Sequence, residues 1–521
     1  MKIPLTPLRC LHRAIDLYGH KEGLVCGSNR FTYSQFGERC ERLGSALQRA
    51  GVLKDDRVAY LSFNTHRLLE GYYGVIQAHA IVMPLNVRLT PAELGSILLH
   101  AEPRILFYES DFGPLVRALS QVWRGMLTIC LDTEYEDFLA TGDPGRADIF
   151  AFNEDSIAEL FYTSGSTGTP KGVMLSHRTV YMHALAVAGN FNHDDTAVEL
   201  HTIPLFHANG WGRPQTAPMM GLKQVMVRRF DPEFVCRMIQ DEGATAMSLV
   251  PTMAAAMLNF PGLSNYNLSS LKQIFLGGAA SSVELVSKLE QTFHCEALVG
   301  YGLTETCPVA TSARKKGTVT YADDADRLRR QTMAGWPLPG TMVRVVDANM
   351  VDVPRDMTCV GEIVIAGDNV MDGYYREPEA TAAVMSGEWF HSGDMAVWDN
   401  EGYVHIVDRK KDIIISGGEN ISSIEVEKAI SAHPDVLETA VVGAPDPRWG
   451  EIPVAFVVAK PGSGLTEDGI REFLATRLAK FKSPRLYEFV TDPLPKGGTG
   501  KILKRELREK YWAGKEKRVQ G

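Results

Sequence analysis

The segment YTSGSTGTPKGVMLSH, residues 162–177, combines glycine, serine and threonine with one proline and one lysine. Backbone N–H groups can approach a phosphate oxygen only where side chains do not block them, so this composition predicts a phosphate-binding loop. The common ATP-binding pattern G-x-x-x-x-G-K-[ST] is not matched, because Lys171 follows Pro170 and precedes Gly172. A glycine-rich surface hairpin without a ligand is the alternative that the segment alone leaves open.

The residues that flank this loop decide the local fold. Ala158 to Thr163 and Val173 to Leu175 have the pattern of β-strands, and Ser176 is suited to be the N-cap of a helix. We therefore expect the loop to join two strands, and not a strand to a helix.

Composition and charge restrict the class of protein. The chain has 521 residues, 45% hydrophobic and 22% charged, which is typical of a globular protein of several domain-sized units. A net charge of −9 argues against nucleic acid as the main partner, although a small anion needs only a local positive site. The eight cysteines include no CxxC pair, so neither a zinc site nor a disulfide framework is expected.

No apolar stretch approaches the length needed to span a membrane, and the N-terminal residues lack the continuous apolar segment of a signal peptide. We expect a cytoplasmic protein without a membrane span.

Strand and helix patterns alternate along the first part of the chain. Examples are the amphipathic helix pattern from Tyr33 to Arg49 and the strand pattern from Arg57 to Phe63. This order predicts parallel βαβ units, whose ligands lie beyond the C-terminal ends of the strands. After about Gly340, short strands and tight turns predict an antiparallel, β-barrel-like subdomain, and the last hundred residues predict a small α+β unit.

Three further segments carry candidate chemistry. LVGYGLTETCP, residues 298–308, places Thr304 and Glu305 after a strand, where an acid can hold Mg²⁺ and a hydroxyl can bind phosphate, although such a pair is also a common helix start. WFHSGDMAVWDNEGYVHIVDR, residues 389–409, contains Asp394, whose carboxylate could accept ribose hydroxyls or simply lie in a turn. PLPKGGTGKILKREL, residues 493–507, contains Lys501, in a basic stretch of a kind that is often only solvated.

The order and spacing of these segments favour one interpretation. The series [YF]TSGSTGxPKG, YGLTE, the GD turn, DRxKDxIxxxGxNI and PKxxxGKxxR resembles the adenylate-forming superfamily of acyl-CoA synthetases, luciferases and peptide-synthetase adenylation domains, over Tyr162 to Arg505. The resemblance implies that ATP activates a carboxylic acid as an acyl-adenylate with release of pyrophosphate. A thiol, here that of coenzyme A, then displaces AMP.

The resemblance also implies the domain organisation. A large N-terminal domain of stacked α/β sheets with the barrel-like subdomain would comprise residues 1–410, and a small mobile α+β domain would comprise residues 411–521. The small domain would turn about a hinge at Lys411, which brings Gly417 and Gly418 to the channel for the pantetheine arm of coenzyme A.

Roles of individual residues follow from the same resemblance. Thr304 would contact the α-phosphate, Glu305 would hold Mg²⁺, and Asp394 and Arg409 would bind the ribose. Lys501 would bridge the carboxylate and the α-phosphate as negative charge develops. The implied nucleotide-binding residues are Thr163, Ser164, Gly165, Ser166, Thr167, Gly168, Lys171, Gly278, Ala279, Tyr301, Gly302, Thr304, Asp394 and Arg409.

The acid is expected to bind beside HTIPLFHANGWG, residues 201–212. Amino-acid-activating relatives carry an aspartate here that this chain lacks, and acetate-specific relatives carry tryptophan where this chain has Gly302, so we expect an apolar acid larger than acetate. His207 is a candidate catalytic or gate residue, or alternatively a core histidine. The predicted acyl pocket comprises His207, Trp211, Gly277 and Gly302, with Met247 and Val299 as further possible walls.

Several alternatives stay open at this stage. The acid could be a medium- or long-chain fatty acid, a thioether-substituted acid or an aryl acid, and the acyl group could be loaded onto a carrier protein. A luciferase-like oxygenase would share the motifs, and a homodimer is possible. A binding protein without catalysis is disfavoured because Lys171, Glu305, Asp394, Arg409 and Lys501 are all present.

Overall fold

The computed structural model of the protein describes residues 2–163, 170–191, 193–417, 419–496 and 502–513. Within these ranges the strands are β1 Glu22–Cys26, β2 Asn29–Thr32, β3 Arg57–Leu61, β4 Ile81–Pro84, β5 Ile105–Tyr108, β6 Leu127–Cys130, β7 Ile157–Thr163, β8 Lys171–Ser176, β9 Val198–His201, β10 Lys223–Met226, β11 Ala246–Leu249, β12 Gln273–Leu276, β13 Glu296–Gly302, β14 Val309–Ser312, β15 Trp336–Pro337, β16 Thr341–Val346, β17 Gly361–Gly367, β18 Gly373–Tyr374, β19 Met385–Ser386, β20 Trp389–Trp398, β21 Val404–Arg409, β22 Ile414–Ser416, β23 Glu419–Ile421, β24 Val436–Asp446, β25 Gly450–Ala459 and β26 Leu486–Phe489.

The helices are α1 Leu8–Tyr18, α2 Tyr33–Arg49, α3 His66–Gln77, α4 Pro91–Ala101, α5 Gly113–Val122, α6 Tyr135–Ala140, α7 His177–Phe191, α8 Arg213–Met220, α9 Pro232–Glu242, α10 Pro251–Leu258, α11 Val283–Phe293, α12 Asp324–Gln331, α13 Pro378–Ala382, α14 Ser423–Ser431, α15 Glu467–Ala475 and α16 Lys504–Trp512. Short 3-10 turns lie at Ser110–Phe112, Ile149–Ala151, Leu263–Asn265 and Thr304–Thr306.

The chain divides into two compact units. The first comprises Met1–Val343, Ile365–Phe390 and Glu401–Tyr403, and the second comprises Arg344–Val364, His391–Asn400 and Val404–Gly521. The second unit thus takes in earlier segments as well as the C-terminal part of the chain. The predicted cut between residues 410 and 411 and the predicted mobility of the C-terminal part stay predictions.

Two mixed sheets form the centre of the first unit. Among the described residues, a nine-stranded sheet has the order β15-β14-β13-β12-β11-β9-β10-β1-β2, and a seven-stranded sheet has the order β18-β8-β7-β4-β3-β5-β6. Pairing is parallel from β1 through β10, β9, β11 and β12 to β13, and again among β3, β4, β5, β6 and β7. The predicted parallel βαβ units are confirmed.

The helices follow from local signals in the sequence. Helix α2 begins at a capping box, in which the Thr32 side chain accepts from the backbone N–H of Gln35 and the Gln35 side chain accepts from that of Thr32. Its apolar face buries Phe36 and Leu43, as its amphipathic pattern predicts. Its observed limits coincide with the predicted Tyr33 to Arg49.

The strands around the phosphate-loop segment are antiparallel. Strand β7 pairs with β8 so that Tyr162 faces Gly172 and Thr163 faces Lys171. The Ser176 hydroxyl accepts from the backbone N–H of Thr179 at the start of α7. The prediction that the loop joins two strands, followed by a helix that Ser176 caps, is confirmed.

The second unit contains an antiparallel pair and an α+β part. Strand β20 pairs antiparallel with β21. In the C-terminal part a sheet of order β23-β22-β25-β24, with β26 parallel to β25, packs helices α14 and α15 over a core that includes Ile414, Val426 and Ile470. The predicted α+β character of this part is confirmed.

Candidate active site

The C-terminal ends of β12 and β13 form one edge of the nine-stranded sheet. The two strands are parallel neighbours, with Leu276 opposite Val299. The segments that follow them, Gly277–Ala279 and Leu303–Glu305, therefore lie at the same edge, where α/β sheets bind their ligands. Thr304 is buried and Glu305 half-buried in the turn Thr304–Thr306, so the helix start that the sequence allowed amounts to one short 3-10 turn.

Glu305 is linked through a tyrosine to the base of the phosphate loop. The Tyr374 hydroxyl donates to Oε1 of Glu305 over 2.9 Å, and Nζ of Lys171 lies 4.7 Å from the centroid of the Tyr374 ring. Burial and the Glu305 carboxylate raise the pKa of Tyr374, so the phenol stays protonated and can donate. Two predicted site residues, Lys171 and Glu305, therefore meet here through a tyrosine from a third part of the sequence.

Tyr374 is not among the residues that the sequence predicts for this site. Strand β18 pairs with β8 so that Tyr374 lies opposite Val173, which brings it beside Lys171. The available signal was the sequence DGYY at 372–375, a glycine followed by two tyrosines, but only the sheet pairing shows which tyrosine faces Glu305.

Several predicted site residues lie outside the described residues: Ser164, Gly165, Ser166, Thr167, Gly168, Gly418 and Lys501. The ends of the phosphate loop are described, and the Thr163 hydroxyl lies 3.5 Å from the carbonyl oxygen of Lys171.

Residues 208–212 form a left-handed turn that the sequence did not predict. The φ angles are 44° at Ala208, 41° at Asn209 and 61° at Trp211, and the two glycines of the turn also have positive φ. The left-handed backbone conformation costs roughly 1–2 kcal/mol for each residue that is not glycine. The turn therefore requires support from its surroundings. His207, which precedes it, is half-buried, and its role stays a prediction.

Asn209 supports the turn from within. Its Oδ1 accepts from the backbone N–H of Gly212 over 2.7 Å, and its Nδ2 lies 3.3 Å from a carboxyl oxygen of Glu159. Asn209 is fully buried. Its amide therefore serves the turn itself.

Trp211 lies against the glycines that follow β12. A Cβ added to Gly277 would lie 3.0 Å from Cη2 of Trp211, and one added to Gly278, which has a φ of +77°, would lie 3.6 Å from Cζ2. The indole packs edge-on against Phe275 at 5.7 Å between centroids. The structure thus brings together Trp211 and Gly277 of the predicted acyl pocket, and the closeness of the indole explains why residue 277 is small.

Gly302 has a reason to be glycine that the sequence did not reveal. A Cβ at this position would lie 1.6 Å from the carbonyl oxygen of Pro308, so the backbone leaves no room for any side chain. The backbone of Pro308 therefore fills the space that a side chain at residue 302 would enter. The absence of tryptophan at this position is thus no evidence for a deep acyl pocket, and a role of Gly302 in that pocket stays a prediction.

In the second unit, Asp394 and Arg409 form an ion pair. They face each other across β20 and β21, and Nε of Arg409 lies 2.7 Å from Oδ1 of Asp394. Asp394 is buried, whereas the Arg409 side chain is 41% exposed. A buried carboxylate with an exposed cationic neighbour suits the binding of vicinal hydroxyls, but the ribose role stays a prediction.

The predicted hinge and channel residues also lie in the second unit. Lys411 is exposed in a turn, where the Arg409 carbonyl accepts from the N–H groups of Asp412 and Ile413. Gly417 has a φ of +62°, and a Cβ there would lie 2.7 Å from Cε3 of Trp449. The indole thus requires glycine at 417, while the hinge and channel roles stay predictions.

Comparison with known proteins decides the family. The family model described as AMP-binding enzyme matches residues 11–375, and that of the AMP-binding enzyme C-terminal domain matches residues 425–501. The chain belongs to the AMP-binding, adenylate-forming enzymes. This family is the one that the sequence resembles, and the chain is accordingly an AMP-forming acid–thiol ligase that acts through an adenylate, with ATP and coenzyme A as substrates.

Individual relatives of this AMP-binding enzyme span nearly its full length. A long-chain-fatty-acid–CoA ligase of Thermus thermophilus is 37% identical and covers 96% of this chain and 94% of its own. A feruloyl-CoA synthase of an Amycolatopsis species is also 37% identical, over 94% and 96% of the two chains. The crystal structure of ATP-bound MatB from Rhodopseudomonas palustris matches with a TM-score of 0.85 at 29% identity, over 97% and 99%.

The described part of this AMP-binding enzyme shows neither the pattern of a membrane-spanning helix nor that of a metal-binding cluster. None of the helices described is long and apolar enough to cross a membrane. The described residues also hold no group of three or more histidine, cysteine or acidic side chains placed to bind a metal ion.

Proposed function

We propose that the enzyme converts a medium- or long-chain fatty acid, or a related apolar acid, to its CoA thioester at the edge formed by β12 and β13. The observation that carries this proposal is the contact series from Lys171 through Tyr374 to Glu305. It joins the base of the phosphate-loop segment to an acid at a strand end, where open α/β sheets bind nucleotides.

Mg²⁺ fits this donor set. Magnesium in phosphate-transferring sites is typically bound by one or two carboxylates together with phosphate oxygens, so it does not need a cluster of protein ligands. Glu305 would hold it, and the bound ion would supply positive charge next to the phosphates. The phenol of Tyr374 occupies one carboxylate oxygen and thereby orients the other.

The preference for an apolar acid is supported by the side chains around Trp211. The indole belongs to a buried cluster with Ala186, Val187, Phe191 and Phe275. The one polar side chain of the turn, Asn209, is directed to Glu159 and Gly212 instead. An acid bound beside this wall would therefore meet hydrocarbon and aromatic rings, which favours an apolar substrate.

An aryl acid is the second candidate. A feruloyl-CoA synthase and a long-chain fatty-acid ligase are equally identical to this chain, so overall identity does not choose between an aromatic and an aliphatic acid. The edge-on rings of Trp211 and Phe275 could pack against an aryl substrate as well as against an alkyl chain.

A panel of acids tests the proposal. AMP release would be measured with butyrate, octanoate, palmitate and ferulate, each with coenzyme A, with a phosphopantetheinylated carrier protein, and with neither. We expect the highest kcat/KM with octanoate or palmitate and with coenzyme A as the acceptor. A preference for ferulate would support the aryl-acid alternative, and thioester formed only on the carrier would contradict the choice of acceptor.

A further inference from the structure

Glu159 is a buried acid that the reaction does not use directly. It lies in β7, four residues before Thr163, and is paired with Val82 of β4 and Leu175 of β8. Its side chain has no exposure to solvent. A fully buried carboxyl requires hydrogen-bond partners. The residues that donate to Glu159 therefore indicate which part of the structure it stabilises.

Both carboxyl oxygens of Glu159 receive amide groups from the region of the left-handed turn. Nε2 of Gln215 donates to Oε1 over 2.7 Å, and Nδ2 of Asn209 donates to Oε2 over 3.3 Å. Gln215 lies in the first turn of α8, directly after the turn that contains Asn209. One carboxyl on a sheet strand thus fixes both the middle and the exit of the 208–212 turn.

The surroundings of this carboxyl keep it neutral. Burial raises the pKa of Glu159 to about 8. The titratable groups that face it are Cys307, Tyr72 and Tyr73, and burial raises the pKa of each well above its usual value. Around neutral pH the carboxyl is therefore mainly protonated.

The turn needs such support because three of its residues with side chains have positive φ. Backbone strain of this kind persists only where the surrounding structure imposes it, and it is concentrated at functional sites. In this protein the strained turn carries Trp211, and it places the indole beside Gly277 and Gly278 at the sheet edge.

We propose that Glu159 is a positioning residue of the acid site: its carboxyl, through Asn209 and Gln215, holds the 208–212 turn so that Trp211 forms the wall beside Gly277. This inference rests on the proposed function, because it assumes that Trp211 contacts the acid. Strand β7 supports the acid site through Glu159 and leads into the phosphate loop at Thr163.

Two substitutions of Glu159 test the proposal. Glu159→Ala removes both acceptors, whereas Glu159→Gln is neutral and of the same shape: its Oε1 can accept from Asn209, and its Nε2 can donate to Oε1 of Gln215 once the Gln215 amide turns over. The kinetics would use whichever of butyrate, octanoate, palmitate and ferulate the wild-type enzyme turns over fastest. For Glu159→Ala we expect the KM for the acid to rise about tenfold, as the loss of two neutral hydrogen bonds predicts, and the KM for ATP to change less than about twofold. Glu159→Gln should restore the wild-type KM.

Glu70 provides the matched control, because it is also a fully buried acid but lies in α3, bonded to Nε of Arg39 at 2.6 Å and to the Tyr135 hydroxyl at 2.7 Å. Glu70→Ala should lower the thermal midpoint without changing either KM. Equal rises of both KM values in Glu159→Ala, or the same rise of the acid KM in Glu70→Ala, would overturn the proposal.

The pH dependence gives a test that does not require Glu159→Ala to fold. Because burial disfavours the carboxylate form of Glu159, the closed arrangement loses stability relative to an opened, ionised one as the pH rises from the ordinary glutamate range toward about 8, and the acid KM of the wild type should rise over that range. The acid KM of Glu159→Gln should not show this rise. Identical profiles of the two enzymes would contradict the proposal.

A third readout is independent of activity. Hydrogen exchange should be faster at residues 208–212 in Glu159→Ala than in the wild type, since the Gly212 N–H is bonded to Asn209, and unchanged there in Glu70→Ala. If the wild type activates no acid at all, the proposed function fails. Unchanged exchange at 208–212 in a folded Glu159→Ala variant would separately refute the positioning role.

Discussion

The strand end at residues 302–305 and the turn at residues 208–212 both carry predicted site residues, but they are held in different ways. The strand end follows from parallel sheet register and lies where such sheets bind ligands. The turn adopts a conformation that its own residues disfavour, and a carboxyl on another strand supports it. A site can therefore combine a part that local sequence specifies with a part that only tertiary contacts specify.

This difference predicts how the two regions respond to substitution. At the strand end, changes should affect the chemistry of ATP activation. At the turn, changes should affect which acid binds and how well.

The largest effect is expected from Glu305→Gln, which removes the negative charge at the strand end. Loss of a metal-binding or charge-stabilising group at such a site commonly lowers activity by 10² or more, so we expect adenylation to fall by about 100-fold or more. Acid-dependent ATP–pyrophosphate exchange measures this step. Glu284→Gln, at an exposed ion pair on α11, is the control and should retain full exchange. Exchange within a few-fold of wild type in Glu305→Gln would place the metal elsewhere.

The next effect is that of Gly302→Ala, which tests whether backbone crowding fixes this glycine. A Cβ would lie 1.6 Å from the Pro308 carbonyl oxygen, and forcing an extra group into a packed region typically costs about 1–3 kcal/mol. We expect a lower thermal midpoint together with slower adenylation. Gly317→Ala is the matched control, since nothing lies within 4 Å of a Cβ at that position. Equal stability of the two variants would contradict the role of backbone crowding and would favour the alternative that Gly302 enlarges a pocket.

Trp211→Leu tests the turn region. Removing the indole from beside Gly277 should change the selectivity among acids by about tenfold, measured as the ratio of kcat/KM for palmitate to that for butyrate. The KM for ATP should stay near the wild-type value. Trp123→Leu, whose indole donates to the Pro103 carbonyl on another part of the first unit, is the control. An unchanged acid ratio in Trp211→Leu would remove this residue from the acid site.

The smallest effect is expected from Tyr374→Phe, which deletes one hydrogen bond to Glu305 and keeps the ring beside Lys171. The loss of about 1 kcal/mol corresponds to a roughly fivefold decrease in kcat/KM for ATP. Tyr375→Phe changes the adjacent tyrosine, which packs edge-on against His100, and should have no such effect. Equal effects of both changes would count against the link between Tyr374 and Glu305.

The sequence predicted the regular parts of the molecule well, for physical reasons. The capping box at Thr32 and the apolar face of α2 are local signals, and so is the pattern of the strand that precedes Thr304 and Glu305. The antiparallel strands around the phosphate loop also follow from their own residues. Where a motif lies at the end of a regular element, its position was predictable.

The remaining features depend on contacts between residues that are far apart in the sequence. Tyr374 faces Glu305 because β18 pairs with β8, and the Pro308 carbonyl fills the space beside Gly302. The left-handed turn opposes the preferences of Ala208 and Trp211 and depends on Glu159. Such features follow from packing, which a single sequence does not display.

The path of oxygen through the reaction shows whether the enzyme forms an acyl-adenylate. The acid from the panel that reacts fastest would be labelled with ¹⁸O in both carboxylate oxygens and converted with ATP and coenzyme A. If the carboxylate attacks the α-phosphorus and the thiol then displaces AMP, one ¹⁸O must appear in AMP and one in the thioester. Label that is absent from AMP, or that appears in pyrophosphate or inorganic phosphate, would contradict an acyl-adenylate mechanism for this enzyme.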